Sequence, residues 1–191
     1  MRKFGLIGYP LSHSFSKKYF TEKFFNEGLV NCRYDNYPLT NILSLYDLLQ
    51  SDNQIEGLNV TIPYKSKVMD CLDFIDPDAL SVGAVNVLKI NRVGDGMKVL
   101  GFNSDITGIK DTIAPLMSPS LKNALILGTG GASKAVRYVL RNLGINYTVV
   151  SRTSQPDCLT YNEIEPGLYN EIQIIINTTP LGMFPDTKTM P

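Results

Sequence analysis

The segment 123–154, NALILGTGGASKAVRYVLRNLGINYTVVSRTS, leaves this chain few ways to fold. A short apolar run stops on Gly128-Thr129-Gly130-Gly131. Next come ASKAVRYVLRNL, with apolar residues at helical spacing, and a second apolar run, YTVV. Strand, glycine turn, helix and strand in that order make a βαβ unit, which belongs to a parallel sheet covered by helices. The glycines let the backbone turn tightly and approach a pyrophosphate, whose charge then sits at the helix N-terminus. Gly128 and Gly130 fill the first two fingerprint positions, with Thr129, Gly131 and Ala132 completing the turn. The third position is Ser133 rather than Gly or Ala, still small enough for close helix packing. A Walker phosphate loop does not fit, because no glycine precedes Lys134.

The end of the second strand selects the dinucleotide. An NAD site would offer Asp or Glu about 20 residues beyond the glycines, to hold the ribose 2′-hydroxyl. This chain offers Ser151-Arg152-Thr153. Arg152 suits a 2′-phosphate as a charge-assisted partner, and Ser151 and Thr153 add hydroxyls. NADP is the expected cofactor; the competing reading is a solvated arginine in a loop.

Upstream, strand-like and helix-like pieces alternate: strand 3–9, helix 14–28, strand 32–39, helix 41–51, strand 55–62 and a helix from about 64 to 72. That order again predicts a largely parallel sheet. AVNVLKIN and MKVLGFNS flank RVGDG and read as a hairpin with an Asp-Gly turn. A helix over 105–117 and the SPSLKN stretch follow, and 171–179 reads as one more buried strand. The domain boundary is placed at the start of the helix, giving 1–104 and 105–191. Within GLNVTIPYK, Asn59 and Thr61 share one strand face, Pro63 ends the strand, and Lys65 follows. On local pattern alone Lys65 and the nearby Lys67 read as solvated surface groups.

Composition narrows the function class. The 191 residues hold 18 Lys+Arg against 18 Asp+Glu, a formal charge of zero. That supplies no basic excess for non-specific nucleic-acid binding. Cys32, Cys71 and Cys158 form no CxxC pair and read as reduced thiols, and a single histidine, His13, disfavours a histidine metal site. No metal is expected. The opening MRKFGLIGYPL has too short and glycine-broken an apolar patch for a signal peptide, and no run reaches the length of a membrane helix. A cytoplasmic enzyme of small molecules, monomeric or homodimeric, is expected.

The motifs GYPLSHSFS, NVTIPYK, GAVNV, GFNSD, GTGGAS, SRT and NTTPLGM, in this order, resemble the shikimate dehydrogenase family along essentially the whole chain. The resemblance implies two α/β domains. The N-terminal substrate domain binds shikimate on a mainly parallel sheet, and a Rossmann-type domain, incomplete at its C-terminal end, binds NADP. It implies Ser14 and Ser16 on the substrate carboxylate, and Asn59, Thr61 and Asn86 on the ring hydroxyls. Lys65 and Asp105 would be the catalytic pair that also touches substrate. Asn177, Thr178, Thr179, Gly182 and Met183 would form a loop near the nicotinamide. Against this pattern, Lys17 stands where the family has Pro, and Ser104 replaces Thr. The chain also stops at Pro191, where the family continues for tens of residues, with a substrate-binding glutamine and a final helix; a truncated chain is expected.

The reaction so implied is reduction of 3-dehydroshikimate by NADPH. An alkoxide forms there, needing a proton and a nearby positive charge. Lys65 as an ammonium supplies both. Asp105 beside it would favour that charged form and position it. Plainer readings stand beside these. One of Ser14 and Ser16 is an N-cap in any case, Asp105 could cap the helix from 106, and His13 reads as a partly exposed side chain rather than a base. Asn86, an amide in an apolar strand, needs partners. The alternatives are a quinate/shikimate dehydrogenase using NAD or NADP, a non-catalytic ligand-binding domain, and a fragment that binds ligand without turnover.

Overall fold

The structure, a computed structural model, describes residues 1–12, 14–94, 96–184 and 186–191. His13 therefore lies outside the described residues. The chain forms two compact units, Met1–Asn103 and Ser104–Pro191.

Unit 1 is built on a six-stranded sheet. Its first three strands are β1 (Arg2–Gly8), β2 (Cys32–Pro38) and β3 (Ile55–Val60). The other three are β4 (Phe74–Ile75), β5 (Val87–Val93) and β6 (Gly96–Phe102), in the spatial order β2-β1-β3-β5-β6-β4. The pairings β1–β2, β1–β3 and β4–β6 are parallel, whereas β5 pairs antiparallel with both β3 and β6. Strand alternation sorts the side chains onto two faces. Ile7, Leu58 and Val60 join Leu45, Leu49 and Val68 in one core, with Leu45 and Leu49 supplied by α2 (Leu45–Ser51). Leu6 and Tyr34 face the other way, against Leu11 and the phenylalanines Phe20 and Phe24 of α1 (Ser16–Asn26). Burying each such Leu stabilises the unit by about 1.5–3 kcal/mol.

Several boundaries differ from the sequence reading. No α-helix covers 64–72. Residues 61–66 are a turn, and a 3-10 helix covers only Lys67–Cys71. A helix, α3 (Pro77–Val82), appears where none was read, with Asp76 accepting from the Asp78 amide as its N-cap and Pro77 at its first position. The strand read as 55–62 ends at Val60, two residues before the cis Ile62–Pro63 peptide, so Pro63 is not what ends it. In the hairpin Val93 pairs with Gly96, so Gly96 belongs to the strand rather than to the turn; Asp95 lies outside the described residues.

Unit 2 holds a four-stranded parallel sheet: β7 (Asn123–Leu127), β8 (Asn146–Ser151), β9 (Leu159–Thr160) and β10 (Ile174–Asn177), in the order β10-β7-β8-β9. The helix read over 105–117 is α4 (Asp105–Ile113) followed by a 3-10 turn, Ala114–Leu116. Pro115 ends the α-helical bonding by removing a backbone donor, although Ala114 before it keeps the α conformation. α5 (Gly131–Asn142) buries Val136, Val139 and Leu140 against Ile126, Ile145 and Val149. A one-turn helix, α6 (Leu168–Glu171), replaces the start of the strand read over 171–179. Among the described residues, no helix is long and apolar enough to cross a membrane.

Candidate functional site

In unit 1 the candidate residues gather where β1 and β3 end. Gly8 ends β1, and a Cβ there would lie 2.4 Å from Thr61 Cγ2 and 2.9 Å from Leu11 Cδ2. Only glycine leaves room for Thr61 on this face. The Thr61 amide donates to the Ile7 carbonyl at 2.9 Å, which prolongs the β1–β3 register by one bond. Its own carbonyl then accepts from the Tyr64 amide at 2.9 Å and closes the turn. Tyr64 is buried and donates from its phenol to the Leu39 carbonyl at 2.7 Å, which anchors the turn beside Lys65.

Two backbone bonds draw a third segment in. The Val85 amide donates to the Lys65 carbonyl at 2.7 Å, and the Val60 amide donates to the Asn86 carbonyl at 2.8 Å. The turn that carries Lys65 and the segment that carries Asn86, 21 residues apart in sequence, are thereby held together. Lys65 is half-buried in a turn rather than at the head of a helix, whereas Lys67 is exposed. Asn86 comes just before β5 rather than inside it, and is 7% exposed. It is one of only three buried polar residues among the described ones, with Ser133 and Ser151. Asn103, quoted within GFNSD but given no role, donates from Nδ2 to the Ala84 carbonyl at 2.8 Å and pins the end of β6 to the same segment.

Neither serine of the first motif occupies the N-cap position of α1, which is Phe15; Ser16 is the first helical residue. Ser14 Oγ accepts from the Ser16 amide at 3.3 Å, so it satisfies one helix-end donor from one position further out. Lys17, standing where a proline was expected, pairs with Asp35 at 2.9 Å and ties α1 to β2. Asn59 turns its Oδ1 to the buried phenol of Tyr34, which donates at 2.8 Å. Sequence reading gave Tyr34 no role, because alternation in β2 makes it one more core aromatic.

In unit 2 the sheet order reverses beside β7: β8 lies on one side and β10 on the other. That is where open α/β sheets leave a crevice at the strands' carboxyl ends. Gly128 turns the chain there with φ +106°, a conformation that L side chains rarely adopt. Its amide donates to the Val150 carbonyl at 2.8 Å. Gly130 is the N-cap of α5, and a Cβ there would meet nothing within 4 Å. Across the crevice, Thr178 bonds the Leu127 carbonyl through its amide at 2.9 Å and its hydroxyl at 2.6 Å. Asn177 Oδ1 accepts from the Thr179 amide at 2.9 Å and the Thr179 hydroxyl at 2.8 Å, and Asn177 Nδ2 donates to the Leu181 carbonyl. The Gly182 amide donates to Thr189 Oγ1 at 3.2 Å, and Met183 is exposed.

These residues fit a dinucleotide. The turn has open space beside Gly130, at the positive end of a 12-residue helix. Ser133 Oγ is fully buried one turn in and has no hydrogen-bond partner, and Thr129 and Ala132 complete the turn. Ser151 is buried at the end of β8, its Oγ accepting from the Thr153 amide at 3.3 Å, while Arg152 and Thr153 are exposed. A guanidinium at that strand end can reach a phosphate without losing a structural role. Asp105 is the first residue of α4, with Ser104 as N-cap, where the helix dipole favours a carboxylate.

Comparison with known proteins assigns the chain. The shikimate dehydrogenase substrate binding domain family matches residues 6–88. A shikimate dehydrogenase (NADP(+)) of Methanococcus maripaludis is 36% identical over 203 residues, covering 98% of this chain and 71% of the relative. The chain belongs to the shikimate dehydrogenase family. Among solved structures, shikimate dehydrogenase 1 of Peptoclostridium difficile superposes with a TM-score of 0.79 at 33% identity, covering 100% of this chain and 71% of that one. The Thermus thermophilus enzyme in complex with NADP(H) and shikimate gives 0.78 at 26% identity, covering 95% and 70%. Members of the shikimate dehydrogenase family thus account for both units of the chain, while the family domain spans the segment that holds Ser14, Ser16, Asn59, Thr61, Lys65 and Asn86.

Proposed function

We propose that this protein is an NADP-dependent shikimate dehydrogenase, catalysing the reversible reduction of 3-dehydroshikimate to shikimate in aromatic amino-acid biosynthesis. The observation that carries the reading is sequence similarity to NADP-dependent enzymes along 98% of the chain. The gathering of Asn59, Thr61, Lys65 and Asn86 by main-chain bonds in unit 1 supports it. Unit 1 is then the substrate domain, and unit 2 the NADP domain.

NADPH, when bound, supplies the hydride. Gly128 to Ser133 would cradle its pyrophosphate, and Ser151, Arg152 and Thr153 its adenosine phosphate. Asn177 to Thr179, with Gly182 and Met183, would border the nicotinamide. On the substrate, Ser14 and Ser16 would hold the carboxylate, while Asn59, Thr61 and Asn86 would orient the ring oxygens. Lys65 would deliver a proton from its ammonium to the oxygen that becomes the new hydroxyl, and neutral Lys65 would take that proton in the reverse direction. Asp105 would be the second group of the catalytic pair that the family resemblance implies. Acid–base help of this kind is worth roughly 100- to 10,000-fold. We place the enzyme in the cytoplasm.

The test is NADP-linked oxidation of shikimate by the wild type and by Lys65→Ala and Asp105→Asn. Each variant is expected to lose at least about 100-fold in kcat while keeping its NADP affinity. Normal turnover in both would overturn the assignment of the pair.

A further inference from the structure

We propose that Tyr34 is a positioning residue for substrate recognition: its phenol fixes the carboxamide of Asn59 so that N–H donors, not the oxygen, face the ligand. The inference rests on the reading of Asn59 as a substrate contact. Tyr34 is 3% exposed, and its ring stacks on Phe20 with centroids 4.5 Å apart and planes 12° from parallel. The ring thus has no freedom to follow a ligand. Its hydroxyl donates to Asn59 Oδ1 at 2.8 Å. A carboxamide is planar, with oxygen on one side and nitrogen on the other. Turning Oδ1 to the phenol therefore turns both Nδ2 hydrogens away from it.

The phenol's own state reinforces this. Burial raises the Tyr34 pKa well above the ordinary tyrosine value, with a hydrogen bond from the Ser16 side chain acting in the opposite direction. Tyr34 remains a neutral donor across the working pH range, so Asn59 always faces an O–H and never a phenolate. Ser16, Tyr34 and Asn59 form one chain of contacts that links the first residue of α1 to the end of β3. Asn59 then selects ligand groups that accept hydrogen bonds, such as a hydroxyl lone pair or a carboxylate oxygen. Without the phenol the carboxamide is free to flip, and half of its orientations present the wrong atom.

The experiment is steady-state kinetics of Tyr34→Phe, Asn59→Ala, the double variant and Asn59→Asp, with shikimate and NADP+ varied separately. Tyr34→Phe keeps the ring on Phe20 and is expected to raise the shikimate KM about 5- to 10-fold, the range of one lost hydrogen bond. Its kcat should stay within about twofold, and its NADP+ KM unchanged, as removal of uniform binding requires. The double variant should bind shikimate no worse than Asn59→Ala, because Tyr34 acts only through Asn59. Asn59→Asp still accepts from Tyr34 but has no donor to offer, and should match Asn59→Ala. An unchanged shikimate KM in Tyr34→Phe, multiplying losses in the double variant, or a normal KM in Asn59→Asp would each overturn the role. Wild-type turnover of shikimate separates the two ideas: without it the reaction assignment falls as well, and with it only the role of Tyr34 is at stake.

Discussion

Two glycines two residues apart should respond in opposite ways to the same methyl group. Gly128 has φ +106°, and a Cβ there would lie 2.8 Å from Thr178 Oγ1, 3.1 Å from Thr179 Cγ2 and 3.3 Å from the Thr178 carbonyl carbon. The left-handed backbone costs an L side chain about 1–2 kcal/mol. Thr178 cannot step aside easily, because its hydroxyl is held on the Leu127 carbonyl at 2.6 Å, and relieving the crowding costs about 1–2 kcal/mol more. Gly128→Ala should therefore destabilise unit 2 by roughly 2–4 kcal/mol, lowering its melting temperature by about 10 °C or more. Gly130 has φ −75° and ψ −170°, which any residue adopts, and its Cβ would meet open space. Gly130→Ala should leave stability within about 0.5 kcal/mol. It should nevertheless weaken NADP binding at least about tenfold, because the methyl stands where the pyrophosphate must approach. Calorimetric melting of each variant, paired with NADP titration, separates the two effects. Equal melting temperatures for Gly128→Ala and wild type, or undiminished NADP affinity in Gly130→Ala, would refute the reasoning.

Just past the carboxyl end of β8, Arg152→Ala should reduce the preference for NADP over NAD at least about tenfold by weakening NADP binding alone; an unchanged preference in competition kinetics would remove Arg152 from the phosphate site. Asp35 offers a pH test. Burial opposes its charge, but hydrogen bonds from Arg33 and Lys17 outweigh that and hold its carboxyl below the usual range. A lowered carboxyl pKa stabilises the fold above the ordinary value of 3.8, and the contribution is lost as pH falls through the lowered value. Because the Lys17 side chain is 51% exposed, Lys17→Ala should cost only about 0.5 kcal/mol at pH 7. That difference should shrink in 1 M salt and fade as pH falls below the ordinary carboxylate range, as thermal melts would show.

The amino-acid order alone determined the βαβ turn at 123–154, because glycine permissiveness and apolar periodicity are local properties. It also determined the alternation of strands and helices in the first unit and the choice of Arg152 over an acidic residue at the end of β8. Helix 64–72 failed, whereas strand 171–179 held only over Ile174–Asn177 and is not buried there: Ile174 and Ile176 are half-buried and Ile175 is exposed. An apolar run does not by itself say helix or strand, nor how deeply it will be covered. Val68 sits in the unit 1 core from a 3-10 turn, and α6 occupies what reads as the start of β10. Only the tertiary structure brought Lys65 to Asn86, through the Val85 amide and the Asn86 carbonyl, since a main-chain bond across 20 residues leaves no mark in residue type. Tyr34 was hidden more completely. In β2 it alternates like any core aromatic, and what distinguishes it is a 2.8 Å bond to Asn59, 25 residues away on a strand that is not its neighbour.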